Sequence, residues 1–87
     1  MSDKHGSNEA SKIHGKIMLF FSENQGSIDT PRGVSTWINE NIQGVRTALE
    51  ELVKIGWLKA HRTSSTVGYS CVLGKKELHK VVAQLKT

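Results

Sequence analysis

Asn41, Gln43, Arg46 and Thr47 are spaced so that a helix would carry them on its leading, solvent-facing end. Amide, guanidinium and hydroxyl groups in that arrangement can exchange hydrogen bonds with base edges and phosphates. A second group, Lys59, His61, Arg62, Ser64 and Ser65, concentrates positive charge and hydroxyls further along the chain, and Arg32 upstream is counted with the same contact set. Other chemistry finds little support. The chain contains no G-x-x-x-x-G-K-[ST], G-x-G-x-x-G, H-E-x-x-H or G-x-S-x-G pattern. Few carboxylates fall on apolar faces, where burial would tune them for acid–base work. His5, His14 and His79 lack ligand spacing. The expectation is therefore a non-enzymatic chain with no metal, no cofactor and no small-molecule ligand. Only five aromatic residues are present, most of them claimed by the core, so base stacking on single strands is not expected.

The elements that must position these residues follow from periodicity. Residues 1–9 are polar and aperiodic and are expected to form a disordered N-terminal arm, leaving residues 10–87 as one folded domain. From Ser11, Ile13, Ile17, Phe20 and Phe21 recur on one helical face until Gln25-Gly26. Ser27-Ile28-Asp29 reads as a short extended link able to form an edge strand. Thr30-Pro31 starts a second helix, since Thr caps well and Pro suits the first helical position. Val34, Trp37 and Ile38 form its expected inner face, and Glu40-Asn41 breaks it. A third helix spans about residues 42–55, with Ile42, Val45, Ala48, Leu49 and Leu52 inward and Gly56 as its stop. Strands are expected from Trp57 to Thr63 and from Val67 to Leu73 around a Ser64-Ser65-Thr66 turn. A last helix runs from Lys75 to Lys86, with Leu78, Val81, Val82 and Leu85 as its apolar stripe.

Charge is unevenly distributed along the 87 residues. Residues 1–53 carry five Lys/Arg and seven Asp/Glu, a net of −2, whereas residues 54–87 carry seven Lys/Arg against Glu77 alone, a net of +6. That asymmetry favours a polyanionic partner, and much of the excess falls on the expected hairpin. The longest apolar run, residues 17–21, is far too short to cross a bilayer, which takes about 20 residues. With no apolar leader and Cys71 as the lone cysteine, the chain is expected in a reducing cytoplasm.

The segment Asn41 to Leu58, a polar cap followed by V-R-x-A-L-x-x-L-x-x-x-G and an apolar pair, resembles the recognition-helix signature of winged helix-turn-helix regulators. It is similar to the GntR-type and MarR-type DNA-binding domains and to small domains of phage and plasmid replication proteins. The resemblance covers about residues 10–73 and departs from the common pattern at Gly44, where Ser or Thr is usual. It implies an α+β, mainly α, winged helix-turn-helix fold: a three-helix core, a β-hairpin wing over about residues 57–73 and a C-terminal helix. It further implies a double-stranded DNA-binding protein acting in transcription, often as a homodimer, with the third helix in the major groove and the wing on phosphates or the minor groove.

Gly44 is expected to let the third helix approach a partner closely, and Glu50 and Glu51 to lie where that helix leaves the groove. Trp37 and Trp57 are expected to pack, and Cys71 to be a small core residue. His61 reads equally as a phosphate partner or a solvated residue. The last helix has two uses, packing on the first helix or forming a dimer seam. Two alternatives to the transcriptional reading stand beside it: a protein-docking domain, favoured by Glu40, Glu50 and Glu51, and a DNA-binding component of a replication system.

Overall fold

Phe21, Ile17 and Met18 are the largest side chains that lose all contact with water, and they come from successive turns of one helix. In the computed structural model, which describes the backbone of residues 2–86 and the side chains of residues 12–84, that helix is α1 (Ser2–Glu23). It packs against α2 (Pro31–Ile38), α3 (Ile42–Lys54) and α4 (Lys75–Lys86) and so forms the centre of the molecule. An apolar face shared with three neighbours must be broad. This is why Met18, absent from the stripe read by periodicity, is as buried as Ile17. The strands β1 (Leu58–Arg62) and β2 (Val67–Cys71) form one antiparallel hairpin with Leu58 opposite Cys71 and Arg62 opposite Val67. Among the described residues, the protein is thus a small, mainly helical α+β fold of four helices and a two-stranded sheet.

The first helix begins at Ser2, not at Ser11, so the arm expected over residues 1–9 lies from Ser2 onward within α1. Extending a helix that is already anchored fixes one residue per added hydrogen bond, whereas nucleating one is costly. The packed turns from Ile13 to Phe21 supply that anchor. At its other end, Asn24 closes α1: its side-chain amide donates to the Phe20 carbonyl at 2.8 Å and its backbone N–H to Phe21 at 3.3 Å.

The caps of α2 and α3 follow the sequence closely. The Thr30 hydroxyl oxygen accepts from the Gly33 N–H at 3.1 Å, with Pro31 in the first helical position. Asn39 ends α2 in the left-handed region (φ 57°, ψ 52°), and the Glu40 N–H reaches the Ser35 carbonyl at 3.1 Å. The same closing pattern recurs after α3, where Gly56 takes φ 90° while the N–H groups of Gly56 and Trp57 bond to the carbonyls of Val53 and Leu52, each at 3.0 Å. This tight closure delivers the chain directly into β1.

Val45, Ala48, Leu49 and Leu52 of α3 meet Val34, Leu58, Tyr69 and the α1 residues in one core that also takes Leu78 and Val82 of α4. Each fully buried aliphatic or aromatic side chain contributes about 1.5–3 kcal/mol. Leu78 and Val82 of α4 are therefore buried within the chain, where α4 packs on α1, with Val81 partly buried beside them. Leu85, expected in the same stripe, lies outside the described side chains. Trp57 is half-buried against the core, whereas Trp37 is 70% exposed, its ring centre 5.8 Å from that of Phe20. The expectation that Trp37 packs is corrected. With only eight residues in α2, Val34 fills the space facing the core and Trp37 falls at its rim.

The link after α1 forms a single bridge to the hairpin. The Asp29 N–H donates to the Tyr69 carbonyl at 2.9 Å, and the Tyr69 N–H returns to Asp29 at 2.8 Å. This brings Ile28 over Gly68, where an added Cβ would sit 2.6 Å from the Ile28 Cγ2 methyl. Gly68→Ala should therefore cost about 1–3 kcal/mol in urea denaturation, the usual range for overpacking. The same substitution in an Ile28→Ala background should recover most of that loss. An equal cost in both backgrounds would show that this contact does not set the fit.

Candidate functional site

The N-terminal end of α3 is capped by its own chain. The Asn41 Oδ1 accepts from the Gln43 N–H at 2.8 Å and the Gly44 N–H at 3.4 Å. Only the Asn41 side-chain NH2 therefore remains to meet another molecule. Gln43, Arg46 and Thr47 are exposed on the first turns, while Val45 and Ala48 between them are buried. Gly44 corrects an expectation. A Cβ added there would meet the Ile13 Cδ1 at 3.0 Å, so its missing side chain serves the close approach of α1 to α3, not the approach of a partner.

Strand alternation divides the second expected group. Leu58, Ala60 and Arg62, paired with Cys71, Tyr69 and Val67, share the hairpin face turned toward α3. Lys59 and His61 take the other face, where the His61 Nε2 lies 2.7 Å from the Ser70 hydroxyl. His61 is thus held within the sheet instead of projecting from a loop. At the tip, the Thr63 hydroxyl oxygen accepts from the Ser65 and Thr66 N–H groups, leaving Ser64 and Ser65 exposed.

Between the start of α2, the outer face of α3 and the hairpin tip lies an open cleft of about 530 Å³. Its walls carry Arg32 from α2, Arg46 and Glu50 from α3, and Arg62 and Tyr69 from the hairpin. Glu50, expected to stand clear of the contact region, is the hub. Its Oε2 accepts a hydrogen bond from the Tyr69 hydroxyl and lies 3.4 Å from the Arg62 Nη2. The two links differ in kind. Tyr69 is buried and its hydroxyl is committed to Glu50, whereas the Arg62–Glu50 pair is exposed and contributes at most about 1 kcal/mol. Burial pushes the Tyr69 phenol up to about 12, reinforced by its hydrogen bond to Glu50 and that carboxylate's charge.

No family model, curated protein or solved structure matches the chain.

The geometry therefore gathers Arg32, Arg46, Arg62 and Ser65 about one cleft, with Gln43 and Thr47 on the same helix as Arg46, while Lys59 and His61 lie on the far face of the hairpin. Glu50 and Tyr69 were missed as members of the site. The available signals were the one-turn spacing of Glu50 from Arg46 and the inward parity of Tyr69 with Val67 and Cys71. Elsewhere the polar contacts are structural. Lys16 bonds Glu40 at 2.5 Å and, chiefly through that hydrogen bond, holds its carboxyl below the usual range. His14 meets Glu51 at 2.9 Å, and burial pushes the Cys71 thiol up. Among the described residues, no three His, Cys, Asp or Glu side chains cluster as metal ligands, and no helix is long and apolar enough to cross a membrane.

Tyr69 is the only tyrosine, so the ultraviolet absorbance of its phenolate reports this contact alone. Its titration should centre near 12 in the folded protein and move down in Glu50→Gln, which removes the acceptor's charge. Because the folded value exceeds the ordinary 10.0, the neutral phenol favours the folded state. That contribution is complete below pH 10 and is lost as pH rises toward 12. The urea midpoint should fall across this window in the wild type, with the tyrosine-dependent part of the fall missing in Tyr69→Phe. Identical profiles would contradict the linkage.

Proposed function

We propose that the chain is a double-stranded DNA-binding module with a winged helix-turn-helix arrangement, acting in transcription. In this reading α2 and α3 form the helix-turn-helix, the hairpin is the wing, and α3 enters the major groove by its first turns. The observation that carries it is the hydrogen bond from the Tyr69 hydroxyl to Glu50, which ties the hairpin, through a ring buried in the core, to the exposed polar face of α3. A helix of 13 residues is about 20 Å long, and a major groove about 12 Å wide accepts one such helix. Gln43, Arg46 and Thr47 would then meet base edges and nearby phosphates, and Arg62, Ser64 and Ser65 the flanking backbone. Asn41 would contribute only through its NH2 group, and Lys59 and His61 fall outside the principal contact surface.

A protein-docking role is the second reading, favoured by one observation: Trp37 stands 70% exposed on α2, and large aromatic side chains are common anchors of protein interfaces. Titration against random genomic duplex fragments separates the two. The duplex reading expects retardation at micromolar protein and low salt. With four to five phosphates neutralised, log affinity should fall against log salt with a slope of about −4. Replacing Arg46 and Arg62 together with Ala should abolish measurable binding. Wild-type affinity in that double variant would sink the assignment, and absence of retardation by the wild type would favour docking. Selection from a random duplex pool would also reveal whether the preferred site is palindromic, as the homodimer implied by the resemblance requires.

A further inference from the structure

Arginine and lysine are partitioned in space in a way that total charge conceals. The chain has three arginines, Arg32, Arg46 and Arg62, and all three line the cleft between α2, α3 and the hairpin. None of the seven lysines whose side chains are described is among the lining residues. The arginines come from three separate elements, so helical or strand periodicity does not explain their convergence. Guanidinium presents planar, paired donors that match the oxygens of a phosphate, whereas an ammonium is a point charge. Thr30, Ser65 and Thr66 add hydroxyl-bearing residues to the same walls. Against this, the cleft contains one carboxylate, that of Glu50, leaving a formal excess of two positive charges.

We propose that this cleft is a binding site for a phosphate group of a nucleic-acid backbone, and that Glu50 is a resident anion which holds Arg62 until the phosphate takes its place. The source of the phosphate, though not the anion site itself, rests on the duplex reading given above. The asymmetry of the two Glu50 contacts makes the exchange feasible. The Arg62 contact is a single long hydrogen bond, 3.4 Å, between groups whose side chains are 65% and 44% exposed. The Tyr69 contact is made from a buried ring and remains in place, since the phenol stays neutral well above ordinary pH. When a phosphate enters, Arg62 turns from Glu50 to the phosphate oxygens, while the Tyr69 hydroxyl retains its hydrogen bond to the carboxylate. Glu50 is thus a positioning residue with an affinity cost, because its charge opposes the ligand that the three arginines attract.

The test compares two neutralising substitutions on the same helix. Glu50→Gln and Glu51→Gln remove the same charge from adjacent positions, but Glu51 does not line the cleft and bonds to His14 instead. Fluorescence anisotropy against a duplex should show Glu50→Gln tightening binding by about 3- to 10-fold, the scale of a close charge contact, with a clearly smaller gain for Glu51→Gln. In an Arg62→Ala background the Glu50→Gln gain should shrink to less than half on a logarithmic scale. Arg32→Ala should reduce the salt slope by about 0.9, the loss of one phosphate contact.

A parallel arm needs no variant. Inorganic phosphate is titrated into the wild-type protein while the three arginine Nε–H signals are followed by NMR, with chloride at matched ionic strength as control. Saturable shifts at Arg32, Arg46 and Arg62 beyond the chloride response are expected. If the wild type fails to bind duplex but phosphate still shifts all three signals, the cleft serves a small phosphate ligand and only the duplex source falls. If duplex binds while the two Gln variants behave alike and phosphate moves the signals no more than chloride, the cleft proposal is overturned and the duplex reading survives. Failure in both arms removes both.

Discussion

Val45, Ala48, Leu49 and Leu52 leave water together along one side of α3, and that burial controls what the helix can offer outside. With 3.6 residues per turn, fixing the inner stripe also fixes the direction of every remaining side chain. Gln43, Arg46 and Thr47 are therefore exposed by consequence, without any polar interaction needed to hold them out. The same packing sets the distance to α1 through Gly44 and Ile13. A bulkier residue at Gly44 would press on the Ile13 side chain and so on the spacing of the two helices.

The hairpin depends on this arrangement at second hand. A two-stranded ribbon alone is marginal in water. Here it is fastened by the Asp29 bridge on one side and by Tyr69 on the other, where the ring is buried in the core and the hydroxyl engages α3. Tyr69 thus combines apolar burial with a directional contact at the ring's far end, and the register of β2 decides which residue plays this part. A slip of β2 by one position would turn Tyr69 outward, away from the core and from Glu50, while Arg62 on β1 kept its face.

How much of this could be read in advance varied with the physical signal. Helix caps are short-range chemistry, so Thr30, Pro31, Asn41 and Gly56 marked their boundaries well, and the hairpin strands fell within two residues of their expected ends. The exposed face of α3 was legible for the same reason, since periodicity determines it. Long-range features were not legible. Trp37 suits a buried face by composition, yet the shortness of α2 leaves it at the rim. Glu50 looked like a solvated helix residue because its two partners lie 12 and 19 positions away. Lys59 and His61 were grouped with Arg62 by proximity in sequence, although alternation in a strand separates neighbours onto opposite faces.

Net charge misleads in the same manner. The excess of +6 over residues 54–87 is carried by six lysines and one arginine, and four of those lysines belong to α4, which packs along α1. Such dispersed ammonium groups shape a field that salt screens over about 8 Å at physiological ionic strength. Arg32 and Arg46, by contrast, come from the half of the chain whose net charge is −2, yet they share a cleft with Arg62. Long-range attraction and close contact are thus assigned to different residues in different parts of the sequence. A lysine on α4 can alter how fast a polyanion arrives and how steeply that rate depends on salt. In the proposed site the guanidinium groups would govern whether it stays, because an arginine presents paired donors and a lysine does not. The carboxylate of Glu50 sharpens that division: placed among the lysines it would merely reduce the field, but placed among the arginines and held by Tyr69 it engages Arg62, so that in the proposed site the Arg62 contact requires that guanidinium to leave it.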